Sequence, residues 1–413
     1  MRSPANPDKK RTKSPSPGAA NANVRVALVH DWLTGKRGGE YVLEAIAELF
    51  VDPQLFTLLR VPGAIDGPIA RLKCTTTWLQ AVPGAAKFYR HLLPLMPQMI
   101  ETLDVGDYDL VVSSSHCVAK GVRKASGAVH VSYVHAPMRY MWDRFEDYFG
   151  PGKAPMAVRA AAMSVRPYLT AWDRAVTSVE RVDRLLANSA FTAEQIRRAY
   201  GREANVVHPF VDLTRFDRRR TPGEFYLMVG AFAPNKRIDL AIEAFNRLAL
   251  PLVVVGQGQD EARLREMAGA TVKFAGPLAN PAIDELYSSA RAFVFPGVED
   301  FGITPIEAMA SGLPVIAYAA GGALETVVDG ESGILFREPT VESLAQAIER
   351  IEAKGIVFEE ERVRARSRAF TRDLFQRRML DEIRGAWVQA GRSPRGLEGA
   401  FADGFSQGDA NFA

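Results

Sequence analysis

Two glutamates, Glu299 and Glu307, stand on either side of the turn Phe301-Gly302-Ile303-Thr304-Pro305. Carboxylates so placed can accept hydrogen bonds from ligand hydroxyls or from backbone amides, and the second has a local explanation. Thr304, Pro305 and Glu307 read as N-cap, first and third residues of a helix. In that capping box the hydroxyl and the carboxylate each satisfy an orphan amide, and the proline has no donor to lose. Glu299 has no such explanation. It follows the apolar run Ala292-Phe293-Val294-Phe295 and then Pro296-Gly297, which reads as a buried strand whose loop feeds the helix. Strand, glycine-bearing turn and helix start together make an anion site, because free amides and the positive dipole end face the crevice at the strand's carboxyl edge.

Other loops carry groups suited to the same anion. Thr34-Gly35-Lys36-Arg37-Gly38-Gly39-Glu40 follows an apolar strand and precedes a helix expected from about Tyr41. There Gly38 and Gly39 either admit a ligand to the backbone or simply form a turn. Lys236, in Gly230-Ala231-Phe232-Ala233-Pro234-Asn235-Lys236-Arg237, falls near a helix start, where a cation opposes the dipole unless an anion offsets it. Two solvated surface bases are the rival reading. Gly256-Gln257-Gly258 offers bare backbone at the same edge, or an ordinary tight turn. His135 ends a strand, and by itself reads as a satisfied structural residue. Asp107-Tyr108-Asp109 pairs two carboxylates, but it immediately precedes an apolar run and reads as a strand boundary rather than a metal site.

The elements that must position these groups alternate short β-branched runs with amphipathic helical patterns, the signature of open parallel α/β sheets. Strands are expected at Val24–Val29, Leu55–Leu58, Leu110–Val112, Val129–Val134, Leu185–Ala187 and Val206–His208. A second series is expected at Phe225–Val229, Leu252–Val255, Val272–Phe274, Ala292–Phe295 and Val315–Tyr318. The helix after the first strand of that second series is clear, since Ile238, Ala241, Ile242, Phe245 and Leu248 share one face. Between the two series, Arg218-Arg219-Arg220 and a Thr-Pro-Gly turn mark a domain boundary. Two doubly wound Rossmann-like halves facing each other would share one cleft, lined by the loops just described.

Composition agrees with two such cores: 413 residues, 47% of them hydrophobic. The net charge of +3 is concentrated at one end, because residues 1–22 hold five Lys/Arg against Asp8 alone. The rest carries 46 basic and 47 acidic side chains, which excludes a nucleic-acid-type basic body. The tail over 1–22 has Ser-Pro repeats and no apolar signal-like segment, and reads as disordered; the Gly/Ala/Asp-rich stretch 392–413 is read the same way. Cys74 and Cys117 have no metal-ligand spacing, so a reduced, cytoplasmic protein is expected. The longest uncharged run, Ala308–Leu324, is broken by glycines and Pro314 and is not a membrane span.

The order of these features resembles the family-four retaining glycosyltransferases, also called group 1. It runs from a Gly-Gly-x-Glu turn through His-Ala-Pro at His135 and a lysine-bearing loop to Val-x-Gly-x-Gly, then two glutamates within "EDFGITPIEAMASGLPVIA". The resemblance covers about residues 24–390. It implies a GT-B architecture with no metal and no cofactor beyond a nucleotide-diphosphate sugar as co-substrate. The implied divisions are an acceptor-side domain over 23–210, a donor-binding domain over 211–369 and a helix within 370–391 crossing back to the first domain. Carried over by position, Glu299 lies near the sugar's hydroxyls and anomeric region, while the amides of Phe301, Gly302, Ile303 and Thr304 hold sugar and distal phosphate. Glu307 binds ribose, and Lys236 binds phosphate. Gly38 and Gly39 approach the phosphates, Gly256 and Gly258 belong to the donor side, and His135 meets the transferred sugar. The family's arginine five residues before the lysine is replaced here by Ala231, so either another base such as Lys36 or Arg37 completes the clamp or the phosphate is gripped less tightly.

"APNKRIDLAIEAFNRL" and "YVHAPMRYMWD" resemble mannosyltransferases of bacterial surface-polysaccharide assembly, which favours mannose and a GDP-linked over a UDP-linked donor. The acceptor would be a saccharide, free or lipid-linked, with no nucleic-acid partner. "KFYRHLLPLMPQMIE", residues 87–101, is apolar and basic enough either to touch the inner face of a membrane or to cover the first domain's core. The competing functions are a non-catalytic sugar-nucleotide-binding scaffold, or an epimerase or phosphorylase on the same fold.

Overall fold

The computed structural model describes residues 24–353 and 357–405. The expected basic tail over 1–22 lies outside them. The first sheet is built from β1 (Val26–His30), β2 (Gln54–Thr57), β3 (Cys74–Thr76), β4 (Leu110–Ser115), β5 (Val129–Val134), β6 (Arg184–Ala187) and β7 (Asn205–Val206), in the order β3-β2-β1-β4-β5-β6-β7. The second contains β8 (Tyr226–Val229), β9 (Leu252–Val255), β10 (Val272–Gly276), β11 (Phe293–Phe295), β12 (Val315–Tyr318) and β13 (Gly333–Phe336), in the order β10-β9-β8-β11-β12-β13. Neighbouring strands run parallel throughout both sheets. This is the GT-B arrangement of two Rossmann-like domains. The strand order reverses between β1 and β4 and again between β8 and β11, and ligand crevices form at such switch points.

Each sheet is covered on both faces, as all-parallel sheets must be. In β1, Val26 and Leu28 pack with Val42, Leu43 and Ile46 of the helix Gly38–Ala47, while Ala27 and Val29 face Met96, Met99 and Ile100 on the other side. Residues 87–101 therefore include core cover: Met96, Met99 and Ile100 are buried, and Lys87, Arg90, His91 and Leu95 stay exposed. No described helix is long and apolar enough to cross a membrane.

β3 and β13 were not expected. β3 is a three-residue edge strand, half-exposed along its length, and β13 begins at a glycine, so neither carries a clean apolar run.

The chain returns to the first domain through the helix Arg372–Gln389, whose Phe375, Met379, Leu380 and Ile383 join the first sheet's core beside Tyr133 and Phe210. The expectation of disorder from 392 onward is corrected for residues 392–405. Pro394–Glu398 is helical, Leu397, Ala400 and Phe401 are buried, and the Phe401 ring stacks on Phe50 at 5.7 Å. Arg384 holds Glu398 with two hydrogen bonds of 3.1 Å. The polar composition concealed a few apolar anchors, and those anchors are sufficient to dock the segment.

Candidate active site

The loops after β1, β4 and β5 face those after β8 and β11 across a cavity of about 560 Å³. Its walls include Gly38, Gly39, His135, Lys236, Glu299, Phe301, Gly302, Ile303 and Thr304.

The donor-side turn is built by glycine. Gly302 has φ of 91°, which a side chain would strain, and it serves as N-cap of the helix Ile303–Ala310. The expected capping box is therefore wrong: Thr304 lies inside the helix, and no side chain caps its start. The first-turn amides keep their hydrogen-bonding capacity for an anion. Glu307 is not among the cavity's lining residues and accepts from Arg215 at 3.0 Å and from the Tyr287 hydroxyl at 3.1 Å.

Lys236 ends a short 3₁₀ turn, Pro234–Lys236, ahead of the helix Ile238–Leu248, and its ammonium contacts the Glu299 carboxylate. Burial and the Arg139 guanidinium pull the Lys236 pKa down to about 8, with Asp300 opposing and Arg144 adding to the pull. The Glu299 contact favours the charged form at neutral pH.

Gly256 and Gly258 do not line the cavity. A Cβ on Gly256 would lie 1.9 Å from the Gly230 carbonyl oxygen, and one on Gly258 would lie 2.4 Å from that of Phe232. Both are glycine because two loops of the second domain touch there.

On the facing side the helix Gly38–Ala47 starts earlier than expected, with Glu40 reaching back to the Arg37 amide at 2.9 Å. Gly38 sits against the opposite domain, since a Cβ there would be 3.2 Å from Ile303 Cδ1. His135 is half-buried with Nε2 2.8 Å from Ser114 Oγ, and its carbonyl accepts from Asn188 at 2.9 Å. Burial, then the neighbouring His116 and His30, lower its pKa to about 3, so the ring is neutral.

Of the two bases expected to stand in for the missing arginine, one reaches the cavity. Lys36 is tied to Glu44 and Asp66, each at 2.8 Å, and is not a cavity residue. Arg37 does line the cavity. So does Arg139, which pairs with Asp300 across the domains while Arg144 donates to the Val298 carbonyl at 2.8 Å. Both arginines follow "YVHAPM", a sequence with no periodic signal that would have assigned them. Asp109 instead accepts from the Arg25 amide at 3.1 Å, at the opposite end of the strands from this cleft.

Residues 213–372 match the glycosyl transferases group 1 family, and residues 44–215 match glycosyltransferase family 4. Each of the two domains thus matches a glycosyltransferase family. Among curated relatives of these domains is a D-inositol 3-phosphate glycosyltransferase of Mycobacteroides abscessus, 33% identical over 207 residues, with 44% of this chain and 47% of the relative covered. Another is the alpha-1,3/1,6-mannosyltransferase alg2 of Schizosaccharomyces pombe, 31% identical with 38% and 41% covered. The matched stretch thus spans less than half of either relative. A Mycobacterium avium D-inositol 3-phosphate glycosyltransferase matches more broadly, at 28% identity over 76% of this chain and 80% of its own. The fold resembles sucrose-phosphate synthase from Thermosynechococcus elongatus, with TM-score 0.66, 20% identity, and 89% and 100% of the two chains covered. It also resembles Anabaena HepE in complex with UDP and glucose, with TM-score 0.60, 18% identity, and 86% and 98% covered.

Proposed function

We propose that the protein is a retaining glycosyltransferase that moves a hexose from a nucleotide-diphosphate sugar to a saccharide acceptor, free or lipid-linked. The observation that carries this reading is the meeting, in one cavity, of Lys236, Glu299 and an uncapped helix start from the second domain with His135 and the Gly38-Gly39 turn from the first. A glycosyl donor whose leaving group is a diphosphate needs its growing negative charge stabilised. The amides at 302–304, the helix dipole, Lys236 and Arg139 provide that stabilisation. Glu299 orients the sugar through its hydroxyls. The acceptor oxygen attacks the anomeric carbon on the face from which the phosphate leaves, and the departing phosphate oxygen takes the acceptor's proton. No metal or cofactor enters this scheme. Glu307 holds Arg215 and Tyr287, and a ribose contact would use its remaining lone pairs.

Mannose and a GDP-linked donor are favoured by the sequence resemblance and by the kinship to the fission-yeast mannosyltransferase. The HepE complex contains UDP, so UDP-glucose is the competing donor. The place of action would be the cytoplasm, or the membrane's inner face if the acceptor is lipid-linked. A sugar-nucleotide-binding scaffold is the second reading, favoured by Ala231 in place of an arginine.

Incubation with GDP-mannose or UDP-glucose and a panel of saccharides, read by mass spectrometry and by NMR of the product's anomeric carbon, tests the proposal. Transfer with retained configuration, abolished in Glu299→Gln, is expected. Nucleotide binding without turnover would support the scaffold, and a trapped glycosyl ester on Glu299 would overturn the same-face route.

A further inference from the structure

Three imidazoles meet at the first-domain floor of the cleft, and they differ in what their nitrogens do. His30 places Nδ1 3.0 Å from the Ser114 carbonyl, with its Nε2 3.7 Å from Glu40. His135 is half-buried and its Nε2 is tied to Ser114. His116 is different: its side chain is 31% exposed, it lines the cavity, and Nε2 has no hydrogen-bond partner among the described residues.

What fixes His116 is Asp31, a fully buried carboxylate just after β1. Its Oδ2 accepts from the amides of His116 at 2.7 Å and Cys117 at 3.0 Å, and from His116 Nδ1 at 3.0 Å. Its Oδ1 accepts from the amides of Val118 at 2.6 Å and Ala119 at 2.7 Å. A carboxylate with this many donors stays ionised, so Nδ1 donates to it, and in the neutral tautomer that this selects the lone pair is on Nε2. The Trp32 ring stands edge-on to the imidazole at 4.6 Å and lines the same cavity.

We infer that His116, aimed by Asp31, accepts a hydrogen bond from an acceptor-sugar hydroxyl next to the attacking one, and that Trp32 and Tyr140, which line the same cavity, form the surface on which that sugar ring packs. This rests on the transferase reading. A lone-pair acceptor next to an aromatic face suits a pyranoside, whose C–H face is apolar and whose hydroxyls donate. His116 is thus a positioning group for the acceptor: the attacking hydroxyl's proton leaves with the phosphate, and the imidazole holds a neighbouring hydroxyl of the same ring.

The test is saturation-transfer NMR of methyl α-mannoside, methyl α-glucoside and methyl β-galactoside, with nucleoside diphosphate present, on wild type, His116→Ala, His116→Gln and Trp32→Leu. Thermal shift with the diphosphate alone runs in parallel. At least one glycoside should show transfer in wild type, cut about fivefold or more in His116→Ala and Trp32→Leu and partly kept in His116→Gln, whose amide oxygen can still accept. The diphosphate shift should be the same in all four proteins. An intact diphosphate shift with no glycoside signal in wild type, or with equal signals in the variants, overturns the inference while leaving the donor site standing. A missing diphosphate shift in wild type counts instead against the transferase reading.

Discussion

His208 Nε2 lies 2.9 Å from the Glu325 carboxylate, and the same carboxylate crosses to the first domain, where it accepts from the amides of Ala190 at 2.8 Å and Phe191 at 3.2 Å. The His208 ring also stacks on Phe301, centroids 5.6 Å apart, so this strap touches the donor turn itself. Glu325→Ala should cost ~1.5–3 kcal/mol, the worth of hydrogen bonds to a charged group, and thermal unfolding would show it.

The same residue predicts a pH dependence. Burial alone would raise the Glu325 pKa, but the hydrogen bonds from His208, Ala190 and Phe191 outweigh it and hold the carboxyl below its usual value. A depressed carboxyl pKa stabilises the fold above the unfolded value of about 4.3 and loses that contribution as pH falls through the folded one. The stability gap between wild type and Glu325→Gln should therefore narrow as pH is taken from about 7 to about 3.

Diphosphate affinity should fall as pH rises through about 8, where Lys236 loses its proton. Titration calorimetry with a nucleoside diphosphate on either side of that value would show the loss in wild type and a flat response in Lys236→Ala. An unchanged wild-type affinity would remove Lys236 from phosphate binding.

Arg139 should supply the clamp's second prong that Ala231 lacks. Arg139→Ala should weaken diphosphate binding by ~1.5–3 kcal/mol, roughly ten- to hundredfold. Lys36→Ala should leave binding unchanged, since Lys36 belongs to Glu44 and Asp66. Comparable losses in the two variants would point to general electrostatics rather than a clamp.

Phe401→Ala should destabilise the first domain by ~3–5 kcal/mol, because the ring is buried against Phe50 and leaves a cavity. Thermal unfolding of this variant and of a chain ending at 391 should show similar losses. An unshifted midpoint in both would mean that the docked segment contributes nothing.

Most strands were legible because parallel sheets bury both faces, so β1, β4, β5, β9 and β12 are apolar runs that announce themselves. β3 and β13 escaped because short edge strands do not need that pattern. Glu299 and Lys236 could be singled out because each sits in a strand–loop–helix unit at odds with a purely structural role. Glu307 was placed by local capping rules, and the glycine N-cap at Gly302 shifted the helix start and sent Glu307 toward Arg215 instead. Arg139 and His116 were out of reach for a different reason. Their roles come from partners distant in the chain, Asp300 and Asp31, and no spacing encodes such a meeting.

The most direct test of the donor site is a thermal-shift panel of GDP, UDP and ADP on wild type and Lys236→Ala. At a hundredfold excess over its dissociation constant a ligand adds about 2.7 kcal/mol, several degrees for domains of this size. A shift with one diphosphate, GDP expected, that vanishes in Lys236→Ala is the predicted result. No shift with any of the three, or a shift that survives the substitution, would contradict the placement of the leaving group between Lys236 and the 301–304 turn.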